Sequence, residues 1–168
     1  MFDFTEIANI ILNSRALLIN GEIHSICEIE IYYNSEDHPD PYVHCHPDQA
    51  TTGTFYFHRS SKKEGAKHKG GNYKGMDLSY SCEGIFCGVL IRSIQTSNNK
   101  LITGPCNVVD YILDRYEVKS IDELIDFKLM SFVENRRDLL LIVKAEEEEG
   151  IYEGKRIGLG LKMKNGEM

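Results

Sequence analysis

Residues 23–33 read Ile-His-Ser-Ile-Cys-Glu-Ile-Glu-Ile-Tyr-Tyr, and no other stretch constrains the fold as tightly. Ile and Tyr dominate it, and polar and apolar residues alternate with period two, which predicts a strand and not a helix. Side chains on a strand point alternately to its two faces. Cys27, Ile29 and Ile31 therefore share one face, and Glu28, Glu30 and Tyr32 share the other. An acid and an aromatic ring become neighbours by geometry alone.

The rest of the chain supplies partners for this strand. Phe4, Ile7, Ala8, Ile11 and Leu12 recur at helical spacing within residues 3–13. Residues 16–19 are short and apolar, and Gly21 turns the chain. Residues 34–52 hold three of the four prolines and read as a long loop, a length that favours a binding or catalytic role over plain connection. Residues 53–58 are expected to be a strand, residues 60–75 a mobile Lys/Gly/Ser-rich segment, and 76–80 and 84–94 two further strands. Thr103-Gly104-Pro105 opens a helix over 106–116, with Val108, Val109, Ile112, Leu113 and Tyr116 on one face. Ser120-x-x-Glu123 fits a capping box for a second short helix, and 139–144 and 157–162 are candidate closing strands. This pattern predicts an α+β protein of a single domain over residues 1–168, with a curved, mostly antiparallel sheet and flanking helices.

Composition narrows the function classes. A hydrophobic content of 42% suits one core and is too high for a disordered chain. No apolar run reaches the roughly 18–20 residues that span a bilayer, so no membrane partner is expected. The start, Met-Phe-Asp-Phe-Thr-Glu, lacks the basic region of a signal peptide, and an intracellular location, cytoplasmic or nuclear, is the expectation. The five cysteines form no Cys-x-x-Cys and are expected to be free thiols, with Cys27 and Cys87 buried in strands. The net charge of −7 argues against a generally basic nucleic-acid coat. Positive charge is nonetheless concentrated at Arg59, Lys62, Lys63, Lys67, Lys69 and Lys74, which read either as a solvated loop or as phosphate contacts. Glu146–Glu149 are a compensating acidic run, read as a solvated turn.

Several residues could carry chemistry. Glu30, on a sheet face beside aromatic rings, would lose hydration and act as a general base or acid; otherwise it is a surface glutamate on a half-exposed strand. Tyr32, Tyr56 and His58 could present flat groups to one pocket, or be core aromatics. His38, His44, Cys45 and His46 allow a weak metal-site reading with Asp37 or Asp48, but no second paired motif completes a ligand set, so no metal and no cofactor are expected. Gly70-Gly71-Asn72-Tyr73-Lys74-Gly75 is no phosphate loop of the strand-to-helix kind, though it could clamp a phosphate or sugar. Asp77 and Arg92 are polar on apolar strands, and could pair with each other or orient a ligand.

Taken in order along the chain, these pieces resemble the alkyladenine (3-methyladenine) DNA glycosylase family. Glu28-Ile29-Glu30-Ile31-Tyr32 is similar to that family's Glu-Thr-Glu-Ala-Tyr, and Glu36-Asp37 with His44 to its Glu-Asp followed by histidine. Gly53-Thr54-Phe55-Tyr56-Phe57-His58 resembles Gly-Thr-Leu-Tyr-Val-Tyr, and Met76-Asp77-Leu78 resembles Met-Asn-Ile. Val89-Leu90-Ile91-Arg92-Ser93 resembles Val-Leu-Leu-Arg-Ala. Thr103-Gly104-Pro105-Cys106 and Arg156-Ile157-Gly158-Leu159-Gly160 resemble Ser-Gly-Pro-Ser and Arg-Val-Gly-Val-Gly.

The resemblance implies a monomeric base-excision DNA-repair hydrolase acting on DNA or a nucleotide-like substrate. Glu30 would activate the water that attacks the sugar C1′. Tyr32 and His44 would sandwich the extruded base, with Tyr56, His58 and Asp77 completing the base pocket. Arg92 would hold the water or a neighbouring phosphate. The charge of the basic segment, and not the resemblance, offers Arg59, Lys62, Lys63, Lys69 and Lys74 as phosphate contacts. The chain departs from the pattern in four places. His58 replaces a stacking tyrosine, Asp77 replaces an asparagine, a longer basic loop over 59–75 replaces the intercalating hairpin, and the charge is acidic. A non-catalytic nucleotide- or nucleic-acid-binding module of the same fold is the first alternative, and a metal-dependent hydrolase built on His44, His46 and Asp37 or Asp48 the second.

Overall fold

The computed structural model describes residues 3–59, 73–126, 139–144 and 150–155; for Arg59, Tyr73, Lys74, Asp126 and Leu140 it describes backbone only. The expectations for Lys62, Lys63, Lys67 and Lys69, for the acidic run and for a strand at 157–162 lie outside the described residues. So do the side-chain roles given to Arg59 and Lys74.

Helix α1 (Phe4–Ser14) starts where Asp3 caps it, its carboxylate accepting from the Glu6 N–H at 3.0 Å. It runs directly into β1 (Arg15–Ile19), which pairs with β2 (Glu22–Asn34) through a two-residue hairpin turn. Asn20 and Gly21 both take positive φ there (47° and 84°), the combination that lets antiparallel strands keep their twist across so short a link. A long loop with one 3-10 turn at Pro47–Gln49 leads to β3 (Phe55–Arg59), β4 (Tyr73–Ser79) and β5 (Phe86–Gln95). The chain closes through β6 (Leu101–Thr103), α2 (Pro105–Tyr116), α3 (Ile121–Asp126) and β7 (Leu140–Val143).

The protein is α+β: a curled antiparallel sheet in the order β3-β4-β5-β2-β1-β7, with β6 beside β5. Strands β4 and β6 share one side of β5, β4 taking its first half and β6 its last three residues. Between them the Gly104 N–H donates to the Arg92 carbonyl, which sets the start of α2 beside Arg92. Strand β6 and the strand character of residues 15–19 were not anticipated. Both are short segments whose pairing, not their composition, makes them strands.

Helix α2 buries Val108, Val109, Ile112 and Leu113, as its spacing predicts; Tyr116 is half-buried and its hydroxyl accepts from the Asn20 N–H at 2.8 Å. Together with Leu17, Ile19, Ile26 and Ile94 these side chains form part of a continuous core. At α3, Ser120 Oγ accepts from the Glu123 N–H as expected, but Glu123 reaches back to the N–H of Lys119, one residue before Ser120. Of the two cysteines expected to be buried, Cys87 is, and burial pushes its thiol up to about 12, whereas Cys27 is exposed. The Cys27 face of β2 is open to solvent at that point, which the alternation of the strand could not reveal.

His24 is fully buried under α2, between the Glu22 carbonyl (2.9 Å from Nδ1) and the Tyr111 hydroxyl (2.8 Å from Nε2). Desolvation lowers its pKa below the ordinary 6.5; Glu22 opposes this, and Arg115, paired with Glu22, adds to it. A base harder to protonate when folded makes the unfolded chain the stronger proton binder. His24 therefore supports stability above pH 6.5, and that support is lost as pH falls from 6.5 through the lowered folded value. Urea unfolding across this range should show stability falling on acidification, and His24→Gln should flatten that part of the curve.

Candidate active site

The register of the sheet assembles the site. Glu30 pairs with Leu90, Leu90 with Asp77, and Asp77 with Tyr56, so a single row crosses four strands. Residues directly opposite in antiparallel strands point to the same face. Tyr32 lies two residues along β2 from this row, Arg92 two along β5 and His58 two along β3, so all share that face. The expectation that Glu30 and Tyr32 would be neighbours holds, and the Tyr32 hydroxyl donates to Glu30 Oε1 at 2.7 Å.

Glu30 is 5% exposed, so the dehydration expected of it is present. Its second oxygen, Oε2, accepts from Arg92 Nη1 at 2.6 Å. An irregularity in β2 between Ile26 and Ile29 brings Glu28 opposite Ser93, and Glu28 Oε1 lies 3.3 Å from Arg92 Nε. Two carboxylates thus hold one guanidinium, and the guanidinium in turn holds Glu30 in place. The possible Asp77–Arg92 pair is overturned: Arg92 reaches across to β2, because two glutamates on that strand outcompete one aspartate on β4.

Asp77 pairs instead with His58, Nε2 to Oδ2 at 2.6 Å. The ring is tilted off the ideal line, and Nε2 makes no aligned hydrogen bond. The contact is close enough for an ion pair when the ring is protonated. Asp77 is fully buried, which corrects its expected place in the base pocket: it cannot touch a ligand, because His58 stands on one side of it and Gln49 on another. Gln49 Nε2 donates to Asp77 Oδ2 at 3.3 Å, and Ser79 Oγ pins the Gln49 carbonyl at 2.6 Å, fastening the 3-10 turn to β4. Gly88, between Tyr32 and Ser79 in the ladder, leaves the room these groups occupy. Burial raises the Asp77 carboxyl above its ordinary range against the pull of His58 and Gln49, and the charge of Glu30 adds to the rise. Neither Gln49 nor Gly88 was singled out from sequence; a buried glutamine in a polar loop leaves no pattern to find.

Aromatic groups gather in front of this pair. The His58 ring lies 4.8 Å from His44, 5.3 Å from Tyr56 and 6.0 Å from Tyr32, centroid to centroid. His44 Nδ1 is 3.1 Å from the Tyr56 hydroxyl, and His46 stacks on Tyr56 at 6.0 Å. Tyr32 and His44 therefore both flank His58, which makes it a central wall of the aromatic cluster. His46 also contacts Asp48 at the surface. Among the described residues no group of three or more His, Cys, Asp or Glu is placed to hold a metal ion. His38, the expected surface histidine, is exposed. A cavity of about 690 Å³ opens on the opposite face of β2, lined by Phe4, Ala8, Leu12, Cys27, Ile29 and Ile31, away from this cluster.

The fold and site define an α+β protein whose antiparallel sheet carries a buried acid and an aromatic cluster on one face. The chain is 38% identical over 171 residues to Uncharacterized protein L759 of Acanthamoeba polyphaga mimivirus, an alignment covering 93% of this chain and 78% of that protein. It belongs to the same family as that viral protein. No family model matches the chain, and no solved structure matches it. Among the described residues no helix is long and apolar enough to cross a membrane.

Proposed function

We propose that this protein is a base-excision N-glycosylase of the alkyladenine DNA glycosylase type, hydrolysing the bond between a modified purine-like base and its sugar. The observation that carries the reading is the convergence of Glu30 and Arg92 with Tyr32, His44, Tyr56 and His58 on one sheet face. An N-glycosidic bond breaks through an oxocarbenium-like sugar, and a nearby carboxylate stabilises that charge and draws a proton from the attacking water. Glu30 has one donor on each oxygen, and a carboxylate has about four acceptor positions, so capacity remains for a water O–H. Arg92 holds the carboxylate still while it does this work. Flat rings offset part of the few kcal/mol needed to unstack a base from DNA. The basic residues Arg59, Lys62, Lys63, Lys69 and Lys74 would supply phosphate contacts.

One observation favours a second reading. Both Glu30 oxygens are already held by Tyr32 and Arg92, an arrangement that also suits a module that binds nucleotides without turnover. Base release from oligonucleotides carrying 3-methyladenine, 1,N6-ethenoadenine or hypoxanthine separates the two. The glycosylase reading expects release by the wild type and none above background by Glu30→Gln. Equal release by both sinks the catalytic assignment. Salt-sensitive binding without release supports the module.

A further inference from the structure

We propose that His58 and Asp77 form a second acid–base pair of the site, in which Asp77 is a positioning residue and His58 gives the proton to the departing base. This deepens the glycosylase reading and rests on it for the identity of the leaving group; the pairing itself does not depend on that reading.

The geometry is directional. Asp77 is fully buried behind His58, and its Oδ2 lies 2.6 Å from His58 Nε2, while the aromatic members Tyr32, His44 and Tyr56 surround the same ring. A carboxylate placed at Nε2 would hold the proton on that nitrogen and leave Nδ1 for chemistry. Gln49 steadies the carboxylate through the same oxygen, and Asp77 Oδ1 has no hydrogen-bond partner among the described residues. The protein thus keeps a desolvated acid in its interior, where burial raises it, beside the His58 ring. Buried ionisable groups held at such cost cluster at functional sites. Among the described residues, the charged and titratable groups around His58 are Asp77 on β4, Tyr56 on β3, Tyr32 and, beyond it, Glu30 on β2, and His44 on the loop.

The step balances. The C1′–N bond breaks, its electron pair goes to the base nitrogen, and that nitrogen takes the proton from the His58 imidazolium. Water adds to C1′ and loses a proton to the Glu30 carboxylate. Solvent then returns that proton, so His58 and Glu30 end as they began. A base that already carries positive charge leaves as a neutral molecule and needs no proton from His58.

The test compares single-turnover release of neutral hypoxanthine and cationic 7-methylguanine from oligonucleotides, by wild type, His58→Gln and Asp77→Asn. Removing a general acid is expected to slow hypoxanthine release about 100-fold or more. Release of 7-methylguanine should change little. Equal losses on both substrates, or none on either, overturn the proton-donor role. Nitrogen-15 spectra of the His58 ring read the pairing without any substrate, and Asp77→Asn should lose the wild-type preference for Nε2–H. A wild-type ring protonated on Nδ1 alone, or one unmoved by Asp77→Asn, overturns the pairing. If the wild type releases neither base, the glycosylase reading falls and His58 loses its proton acceptor, while the spectra still decide the pairing. Thermal unfolding of each variant checks folding; if Asp77→Asn does not fold, His58→Gln and the wild-type spectrum decide.

Discussion

On the proposed glycosylase reading, Glu30→Gln is expected to lower base release by about 100- to 10,000-fold, the span over which a positioned proton-transfer group acts. The substitution keeps the side-chain size and removes the charge. The amide must still meet two donors, the Tyr32 hydroxyl and Arg92 Nη1, with one oxygen and one NH2. The amide Oε1 can keep Arg92 while the NH2 donates to the Tyr32 hydroxyl, which then acts as acceptor. Arg92 keeps Glu28, so the guanidinium is not left without an acid and the sheet should remain folded. The measurement is single-turnover release on the best substrate, beside circular dichroism to establish that the variant is folded. A folded variant with wild-type release removes Glu30 from the chemistry. A second control, Glu28→Gln, leaves the Glu30–Arg92 contact intact and should cost far less.

Gly88→Ala destabilises the protein by about 1–3 kcal/mol, the range for forcing an extra methyl into a packed interior. A Cβ at this position would lie 2.4 Å from Asp77 Oδ2, 2.8 Å from Gln49 Nε2 and 3.2 Å from Asp77 Cγ. Asp77 is short and fully enclosed, so its carboxylate cannot move without giving up His58 or Gln49. The variant should therefore lose activity along with stability. Gly75→Ala offers a comparison on the same face of β4: the nearest atom, at 2.5 Å, is the tip of Leu90, which can rotate, and Pro105 Cβ follows at 3.2 Å. Its cost should be smaller. Urea denaturation of both variants measures the difference, and a Gly88→Ala protein as stable as wild type would show that Asp77 is not confined as described.

Much of the site was legible from short-range pattern. Period-two alternation placed Glu30 beside Tyr32, because the pleat alone decides which side chains share a face. The same rule put Tyr56 and His58 on one face of their strand, and helical spacing picked out Val108, Val109, Ile112 and Leu113 as the buried stripe of α2. Partner choice was not legible. Asp77 and Arg92 looked matched because they are opposite charges on neighbouring strands, yet each found another partner. That outcome depends on register and on the irregularity near Glu28, both set by long-range pairing. Gln49 and Gly88 carried no local signal, since their importance lies wholly in what surrounds them.

The sequence by itself determined the strand that offers an acid and a ring together, the α+β class, and the helices with their buried faces. Those properties follow from periodicity, which acts within a few residues. Only the tertiary structure decided that Glu30 is gripped by Arg92 and that Asp77 sits sealed behind His58. It alone showed that four strands contribute to one row. These depend on which residues stand opposite one another across the sheet, and hydrogen-bonded pairing between distant segments settles that.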